Sequence, residues 1–539
     1  MRKERLAVLL SVTLLVYAAW GVVDASAARC GDQVKASAAC CSDKYVLVPE
    51  TDGHWKRVEY YVERIPHNDY RQASEQAREA FRDLKYGIRI HWGIYAQRNL
   101  RASWDFTRGM SFKQKQAYQQ LYKEFNPKDF DAEKWMRMFK RNGLKMFAFT
   151  TKHHDGFSMY DTKTRVKQRV NWTAPAGPRI EDCDLAYSVM ESPYGRDITK
   201  ELCDAARKHD IKIDLYYSHP DWYDADFRPY IWHPVPTPYA QKHSAEYGKG
   251  VMGGPDGALA GGPHWLGPDK TPAETERMIQ RHRQQLVELL TNYGKIDMVC
   301  LDMWLGPNVW PQTRETMKIL RKIQPDVMFR CRGIGNYGDY YTPEGFVPAA
   351  KENTNMPWFV IYCLAGSKSS YHPNGNAYRG GPWIVSNVVD ATSKGGNFMV
   401  AIGLDANGNF HPRAVENLNY TGDWLRVNGE AIYATRPRPG KLWKEGKHIR
   451  FTRTKDNRTI YAISLNHWPG RELVLKTVAV KPDAKIHMLG CSEPLAWRMD
   501  KKGLVIEIPE RLQDEANRPC KQAWAFKIAG HDAVSIESK

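Results

Sequence analysis

From about residue 80 to 430 short apolar runs alternate with amphipathic stretches, a pattern that predicts strand-helix repeats around a parallel sheet. The apolar runs place strands over Tyr86 to Trp92, Lys145 to Lys152, Lys212 to Ser218, Met298 to Asp302, Val327 to Arg332 and Asn397 to Gly403. Helices with readable ends fall between them. Asp131 is placed to cap a helix whose Trp135, Met138 and Phe139 share one face, and Gly143 ends it. Thr271-Pro272-Ala273-Glu274 reads as a capping box with proline at the first helical position. The repeats are numerous enough to close a barrel.

Past Arg436-Pro437-Arg438-Pro439-Gly440, which reads as a linker, the period changes to short alternating strands between residues 448 and 528, separated by turns such as Asp456-Asn457 and Pro469-Gly470. This predicts an antiparallel sandwich. The expected fold class is therefore α/β: a (β/α)8-like TIM barrel followed by a C-terminal β-sandwich. Residues 1–27 have a basic head, an apolar middle and the small exit Ala25-Ser26-Ala27, as a secretory signal peptide does. The expected division is a signal peptide over 1–27, an N-terminal extension over 28–79, the catalytic barrel over 80–435 and the sandwich over 445–530. The Gly-rich stretch from Lys249 to Gly267 reads as a loop over the pocket mouth.

The 539 residues are 42% hydrophobic and 26% charged, globular values that exclude a disordered, collagen-like or mainly membrane-embedded chain. The net charge of +17 is spread along the sequence, and no basic stripe or nucleic-acid-binding motif accompanies it. It fits a solvated basic surface or an anionic polysaccharide substrate. Export would permit disulfides, with Cys30 and either Cys40 or Cys41 as a candidate bridge; the remaining cysteines are scattered singly.

In a parallel barrel the chemistry sits where strands end, and five of the six predicted strands end in polar clusters: His91-Trp92-Gly93, Lys152-His153-His154-Asp155-Gly156, Tyr216-Tyr217-Ser218-His219, Leu301-Asp302 and Arg330-Cys331-Arg332. A strand buried on both faces has little reason to end in His, Asp or Arg unless a pocket uses them. The paired histidines invite a metal reading, but neighbours on an extended segment point to opposite sides, and no carboxylate or cysteine at ligand spacing joins them. Histidines that bind hydroxyls in a sugar pocket are the expectation.

Taken together, Tyr86-Gly87-Ile88-Arg89-Ile90-His91-Trp92-Gly93, Lys152 to Phe157, Gly195-Arg196-Asp197, Tyr216-Tyr217-Ser218, Leu301-Asp302, Ser393-Lys394-Gly395-Gly396-Asn397 and Asn428-Gly429-Glu430-Ala431-Ile432-Tyr433 resemble the family 29 glycoside hydrolases, the α-L-fucosidases. The resemblance implies a retaining exo-hydrolase that removes terminal α-L-fucose from glycans, with Asp302 as nucleophile and Glu344, in Thr342-Pro343-Glu344, as acid/base. It implies that Arg332 stands beside the nucleophile, that His91, His153, His154 and one of Tyr216 or Tyr217 bind the sugar, and that no metal or organic cofactor is needed. Trp92 and Trp104 are candidate pocket walls, and Asp155 and Asp197 are expected to be structural.

Two stretches depart from the family pattern: Ala102-Ser103-Trp104-Asp105-Phe106 and Trp358-Phe359 each lack a glutamate that many members carry. They leave Glu352 as an alternative acid/base. They also leave open a catalytically silent fucose-binding relative, or a hydrolase of sulfated fucan or L-galactosides. The expected partner is a fucosylated glycan, without nucleic acid or stable membrane insertion. The expected location is an exported compartment: periplasmic, extracellular or lysosome-like.

Overall fold

A computed structural model of the chain describes residues 44–243, 265–343, 348, 354–366 and 369–531. The expected signal peptide, Cys30, Cys40, Cys41, Glu344, Glu352 and nearly all of the Gly-rich stretch lie outside them. The first strands are β1 (Tyr86–His91), β2 (Met146–Lys152), a hairpin of β3 (Val166–Asn171) and β4 (Arg179–Leu185), β5 (Lys212–Ser218), β6 (Met298–Asp302), β7 (Met328–Phe329), β8 (Phe359–Cys363) and β9 (Asn397–Gly403).

Seven of these form one parallel sheet in the order β7-β6-β5-β2-β1-β9-β8. A very short extended segment, Tyr340-Tyr341, closes the ring. Tyr340 bridges Arg330 just beyond β7, and Tyr341 bridges Trp358 just before β8, both in parallel. The result is an eight-membered parallel barrel. β2 and β6 are buried at every position, which explains the continuous apolar runs. β8 and the closing segment were not among the expected strands. The hairpin was hidden because its outward residues, among them Lys167, Arg179 and Asp182, carry charge.

The longer helices are α1 (Glu75–Asp83), α2 (Ala132–Arg141), α3 (Ile198–Lys208), α4 (Pro272–Thr291), α5 (Trp310–Ile323), α6 (Gly381–Ser393) and α7 (Pro412–Asn428). Asp131 caps α2 by accepting from the Lys134 N–H at 2.9 Å, and Gly143 follows with φ +76°. Thr271 and Glu274 form the expected capping box on α4. Asp197 caps α3.

The segment before β1 is part of the barrel's packing. Tyr70 donates to the Tyr337 carbonyl at 2.5 Å, and the Ala73 N–H donates to Asp339 at 2.7 Å. α1 then places Phe81 across the barrel's N-terminal end, stacked on Tyr340 at 5.0 Å and packed with Met146, Met298, Met328, Phe359 and Met399. This apolar plug leaves the opposite end for chemistry.

The C-terminal unit holds β10 (Arg436–Pro437), β11 (Lys444–Glu445), β12 (Ile449–Arg453), β13 (Thr459–Leu465), β14 (Glu472–Leu475), β15 (Val480–Met488), β16 (Trp497–Asp500), β17 (Gly503–Glu507) and β18 (Ala523–His531). One antiparallel sheet runs β10-β12-β13-β18-β15, with β11 also on β12, and faces a second, β14-β17-β16. Side chains alternate across a strand, and β13 divides them between two cores. Ile460 and Ala462 pack inside the sandwich, while Tyr461, Ile463 and Leu465 join the barrel's core. β18 does the same with Phe526 and Ile528 against Ala523 and Ala525. The joint is sealed by the Trp424 indole N–H on the Ala523 carbonyl at 2.9 Å.

Gly156 has φ +82°, and an added Cβ there would lie 2.1 Å from Asp221 Oδ1, the carboxylate that accepts from Arg281 at 2.6 Å. Gly156→Ala is expected to destabilise the fold by at least about 2 kcal/mol, through backbone strain and a displaced buried ion pair. Gly109, at φ +91° with open space around it, is the control: Gly109→Ala is expected to cost about 1–2 kcal/mol. Thermal unfolding of the two variants measures the difference.

Candidate active site

The C-terminal ends of β1, β2, β5, β6 and β7 converge on one cavity of about 520 Å³, lined by Arg89, His91, His153, Tyr216, Asp302 and Arg332 among others. Asp302, the last residue of β6, forms its charged floor. Its Oδ1 accepts from Arg332 Nη1 at 2.7 Å and Arg330 Nη1 at 3.3 Å, and its Oδ2 accepts from the Tyr216 hydroxyl at 2.6 Å. Burial alone would raise this carboxyl, but Arg332 and Arg330 outweigh it and hold Asp302 well below the usual carboxylate range. Asp302 is therefore ionised at neutral pH although nearly enclosed.

Strand alternation decides between the neighbouring tyrosines. Tyr216 faces inward with Asp214 and Ser218, whereas Tyr217 points to α4, donating to Gln285 at 2.9 Å with the Lys152 ammonium 4.4 Å from its ring centroid. Trp92 likewise stands outside the pocket. It follows inward-facing His91, and its ring packs on Phe125, Phe130 and Trp135 while its N–H donates to the Asp405 carbonyl at 2.9 Å. Tyr217 and Trp92 are packing residues by position, because one step along a strand turns a side chain to the opposite face.

The two histidines differ from the extended-strand expectation. β2 stops at Lys152, and residues 153–156 turn, with the Gly156 N–H donating to the His153 carbonyl at 3.0 Å. Both rings therefore reach the same side, their centroids 4.3 Å apart. His153 lines the cavity and bonds the Ser103 hydroxyl; His154 Nε2 lies 3.8 Å from Asp302 Oδ2. Burial pushes His154 down to about 4, so it is neutral at pH 7 and this contact is no ion pair. Burial also holds His91 and His153 well below the usual histidine range. Both ring nitrogens of His91 are buried with no hydrogen-bond partner among the described residues, whereas buried polar groups are ordinarily bonded.

Asp155 and Asp197 are structural as expected. Tyr118 donates to Asp155 at 2.5 Å, and Asp197 accepts from Tyr293 at 2.6 Å. Trp104 walls the cavity with Trp232, their rings 5.2 Å apart.

Arg330 and His219 stand in the predicted strand-end clusters without an assigned role, whereas Arg89 and Asp214 escaped the reading of strand ends. Arg330 bonds the carboxylate; Arg89 lies 4.3 Å over the Tyr216 ring; Asp214 is buried between strands, its carboxyl pushed up to about 7 by burial against the pull of Arg89 and Arg330. The signal for Arg89 and Asp214 was a charged residue inside an apolar strand. His219 fixes the backbone of both charged partners: its N–H donates to the Asp302 carbonyl at 3.0 Å, and its Nε2 lies 3.3 Å from the Arg332 carbonyl. A carbonyl only accepts, so Nε2 carries the proton and Nδ1 accepts from His282 Nε2 at 2.9 Å.

A parallel barrel whose strand ends present a buried, guanidinium-paired carboxylate and neutral histidines has the architecture of a glycoside hydrolase. Residues 61–430 match the family model described as α-L-fucosidase, and residues 444–529 match that of the α-L-fucosidase C-terminal domain. The chain belongs to the α-L-fucosidase family, glycoside hydrolase family 29. Plasma α-L-fucosidase of Pongo abelii is 25% identical over 473 residues, 83% of this chain and 89% of that protein. Human tissue α-L-fucosidase is 26% identical over 484 residues, 84% and 88% of the two chains. Among solved structures, α-L-fucosidase isoenzyme 1 from Paenibacillus thiaminolyticus aligns with TM-score 0.66 at 24% identity, covering 85% of this chain and 99% of that one. A Bacteroides thetaiotaomicron GH29 α-L-fucosidase, solved as a trapped covalent intermediate, aligns with TM-score 0.64 at 21% identity over 87% of this chain and 100% of that one. These two share the fold.

Burial pushes His219 down to about 4, from an ordinary value near 6.5. A depressed histidine contributes stability that is present above about pH 6.5 and lost as pH falls through about 4, because the unfolded chain then binds the extra proton. His219→Gln removes that contribution. The Tm advantage of the wild type over this variant is expected to shrink steadily between pH 7 and pH 4, measured by calorimetry at matched ionic strength.

Proposed function

We propose that this chain hydrolyses terminal α-L-fucose from glycans by a retaining double displacement, with Asp302 as the nucleophile. The observation that carries the assignment is the ionised, buried Asp302 carboxylate on the cavity floor. Among the described residues its Oδ1 is engaged by two arginines, while Oδ2 accepts a hydrogen bond from Tyr216 alone. A carboxylate oxygen has two lone-pair sites, so Oδ2 keeps one for the anomeric carbon.

The second carboxyl group of a retaining enzyme stands about 5 Å from the first, protonates the leaving oxygen and later activates water. Glu344 is assigned this role. It follows the closing segment Tyr340-Tyr341 by three residues in sequence. Glu352 is the alternative. His91, His153 and His154, neutral and desolvated, supply hydrogen bonds to the ring hydroxyls, and the His91 nitrogens, buried without a partner among the described residues, support this role. Trp104 and Trp232 give the C6 methyl group an apolar wall. A sugar lacking a hydroxyl would leave these buried groups unpaired, which is how the site selects the fucose configuration.

Among the described residues no helix is long and apolar enough to cross a membrane. Residues 1–27 are assigned as an export signal, so the mature protein begins near Ala28.

Asp302→Ala is expected to lower kcat on an aryl α-L-fucoside by at least about 10³-fold. Azide, entering from the vacated face, should partly restore turnover and give the β-L-fucosyl azide. Full activity without azide would overturn the assignment. Glu344→Gln should impair a fucosyl disaccharide far more than an aryl fucoside with a good leaving group, because only the disaccharide needs acid assistance; the same split in Glu352→Gln instead would move the acid/base there. Arg332→Gln removes the strongest pull on the nucleophile, so the acidic limb of the kcat/KM profile should shift to higher pH.

A further inference from the structure

Three arginines outside the catalytic cluster rest on tryptophans around the cavity. The Arg57 guanidinium lies 5.8 Å from the Trp304 ring centroid, and that of Arg108 lies 4.6 Å from Trp104 and 5.6 Å from Trp232. Those three tryptophans all line the pocket. Arg379, itself a lining residue, lies 4.9 Å over Trp383 and donates to the Gly366 carbonyl at 3.3 Å. Arg57, Arg108 and Arg379 are exposed, and among the described residues none of them ion-pairs with a carboxylate. Some other surface arginines are neutralised by a carboxylate: Arg64 pairs with Glu50, Arg98 with Glu124 and Arg413 with Glu416, each at 2.8 Å.

Among the described lining residues the cavity carries excess positive charge. Arg57, Arg89, Arg332 and Arg379 line it, against Asp302 among the described lining residues. Asp302 is already satisfied by Arg332 and Arg330, and fucose is a neutral sugar, so the rim arginines have no work in the displacement itself. Converging guanidiniums repel one another. Each is held against an indole face or a carbonyl, which reduces the entropy lost when an oxyanion binds and leaves the planar fork free to meet it. A volume of about 520 Å³ also leaves room beyond a single sugar ring.

We propose that the mouth of the pocket binds an anionic substituent, a sulfate ester or a carboxylate, on the sugar next to the fucose, so that the preferred substrate is an acidic fucose-containing polysaccharide. This rests on the fucosidase reading above. The chain's net charge of +17 acts in the same direction, raising the encounter rate with a polyanion.

The test uses one fucosyl disaccharide in three forms, with the second sugar neutral, sulfated or oxidised to a uronate, alongside an aryl α-L-fucoside. The readout is the kcat/KM ratio of each anionic form to the neutral one within the same protein. The wild type is expected to favour at least one anionic form about tenfold at low ionic strength, as two charge-assisted contacts would provide. Raising salt from about 10 mM to about 150 mM, which shortens the Debye length from ~30 Å to ~8 Å, should reduce the preference. In the Arg57→Gln/Arg379→Gln double variant the ratio should fall to within about twofold of one. Preference for the sulfated form alone identifies a sulfate ester, and for the uronate alone a carboxylate. A wild type that cleaves the neutral disaccharide at least as well as both anionic ones, or a ratio unchanged in the double variant, overturns the inference and leaves the fucosidase reading standing. Failure to cleave even the aryl fucoside would overturn that reading instead.

Discussion

An ionised carboxylate inside a protein is costly unless its charge is met at close range, and Asp302 imposes that requirement on the whole active end of the barrel. Arg332 at 2.7 Å and Tyr216 at 2.6 Å meet it directly. Arg330 adds a third partner from the strand position two residues earlier. These groups come from three adjacent strands, so the parallel register of β5, β6 and β7 delivers them to one point. His219 then ties the backbones of Asp302 and Arg332 together. The arrangement holds a carboxylate ionised although it is nearly enclosed.

The barrel's interior is graded along its axis. Its N-terminal end is filled by Phe81 and a group of methionines. Charge enters higher up with Arg89, Asp214 and Arg330, and the C-terminal end opens into the cavity. Desolvation acts in opposite senses on neighbouring groups there. It keeps the histidines neutral, able both to donate and to accept hydrogen bonds, while Asp302 escapes it because two guanidiniums outweigh the burial. One enclosed space thus holds a charged carboxylate beside uncharged imidazoles.

The sandwich is fused to this barrel by its own alternation. Strands β13 and β18 send one face into each core, so the sandwich cannot separate without exposing Tyr461, Ile463 and Leu465. Small residues, Ala523 and Ala525, face the barrel where the helices approach closely. The stretch read as a linker contributes β10, which pairs with β12 through Arg436 and Pro437.

By itself the amino-acid sequence determined the barrel, the sandwich and the strand ends that matter, because a strand buried on both faces must be apolar and a polar residue ending it stands out. Helix caps at Asp131, Asp197 and Thr271 were legible for an equally local reason: a side-chain oxygen meets a free N–H within three residues. Only the tertiary structure decided which member of each adjacent pair faces the cavity. Tyr216 and Tyr217, or His91 and Trp92, are chemically suited alike, and strand phase separates them. The turn that starts after Lys152 brought both histidines to one side against the extended-strand expectation. The closing pair Tyr340-Tyr341 is too short to carry a period, and the contacts of Arg57 with Trp304 and of Arg108 with Trp232 join pocket-lining tryptophans to arginines far away in the chain, a relation that exists only once the chain has folded.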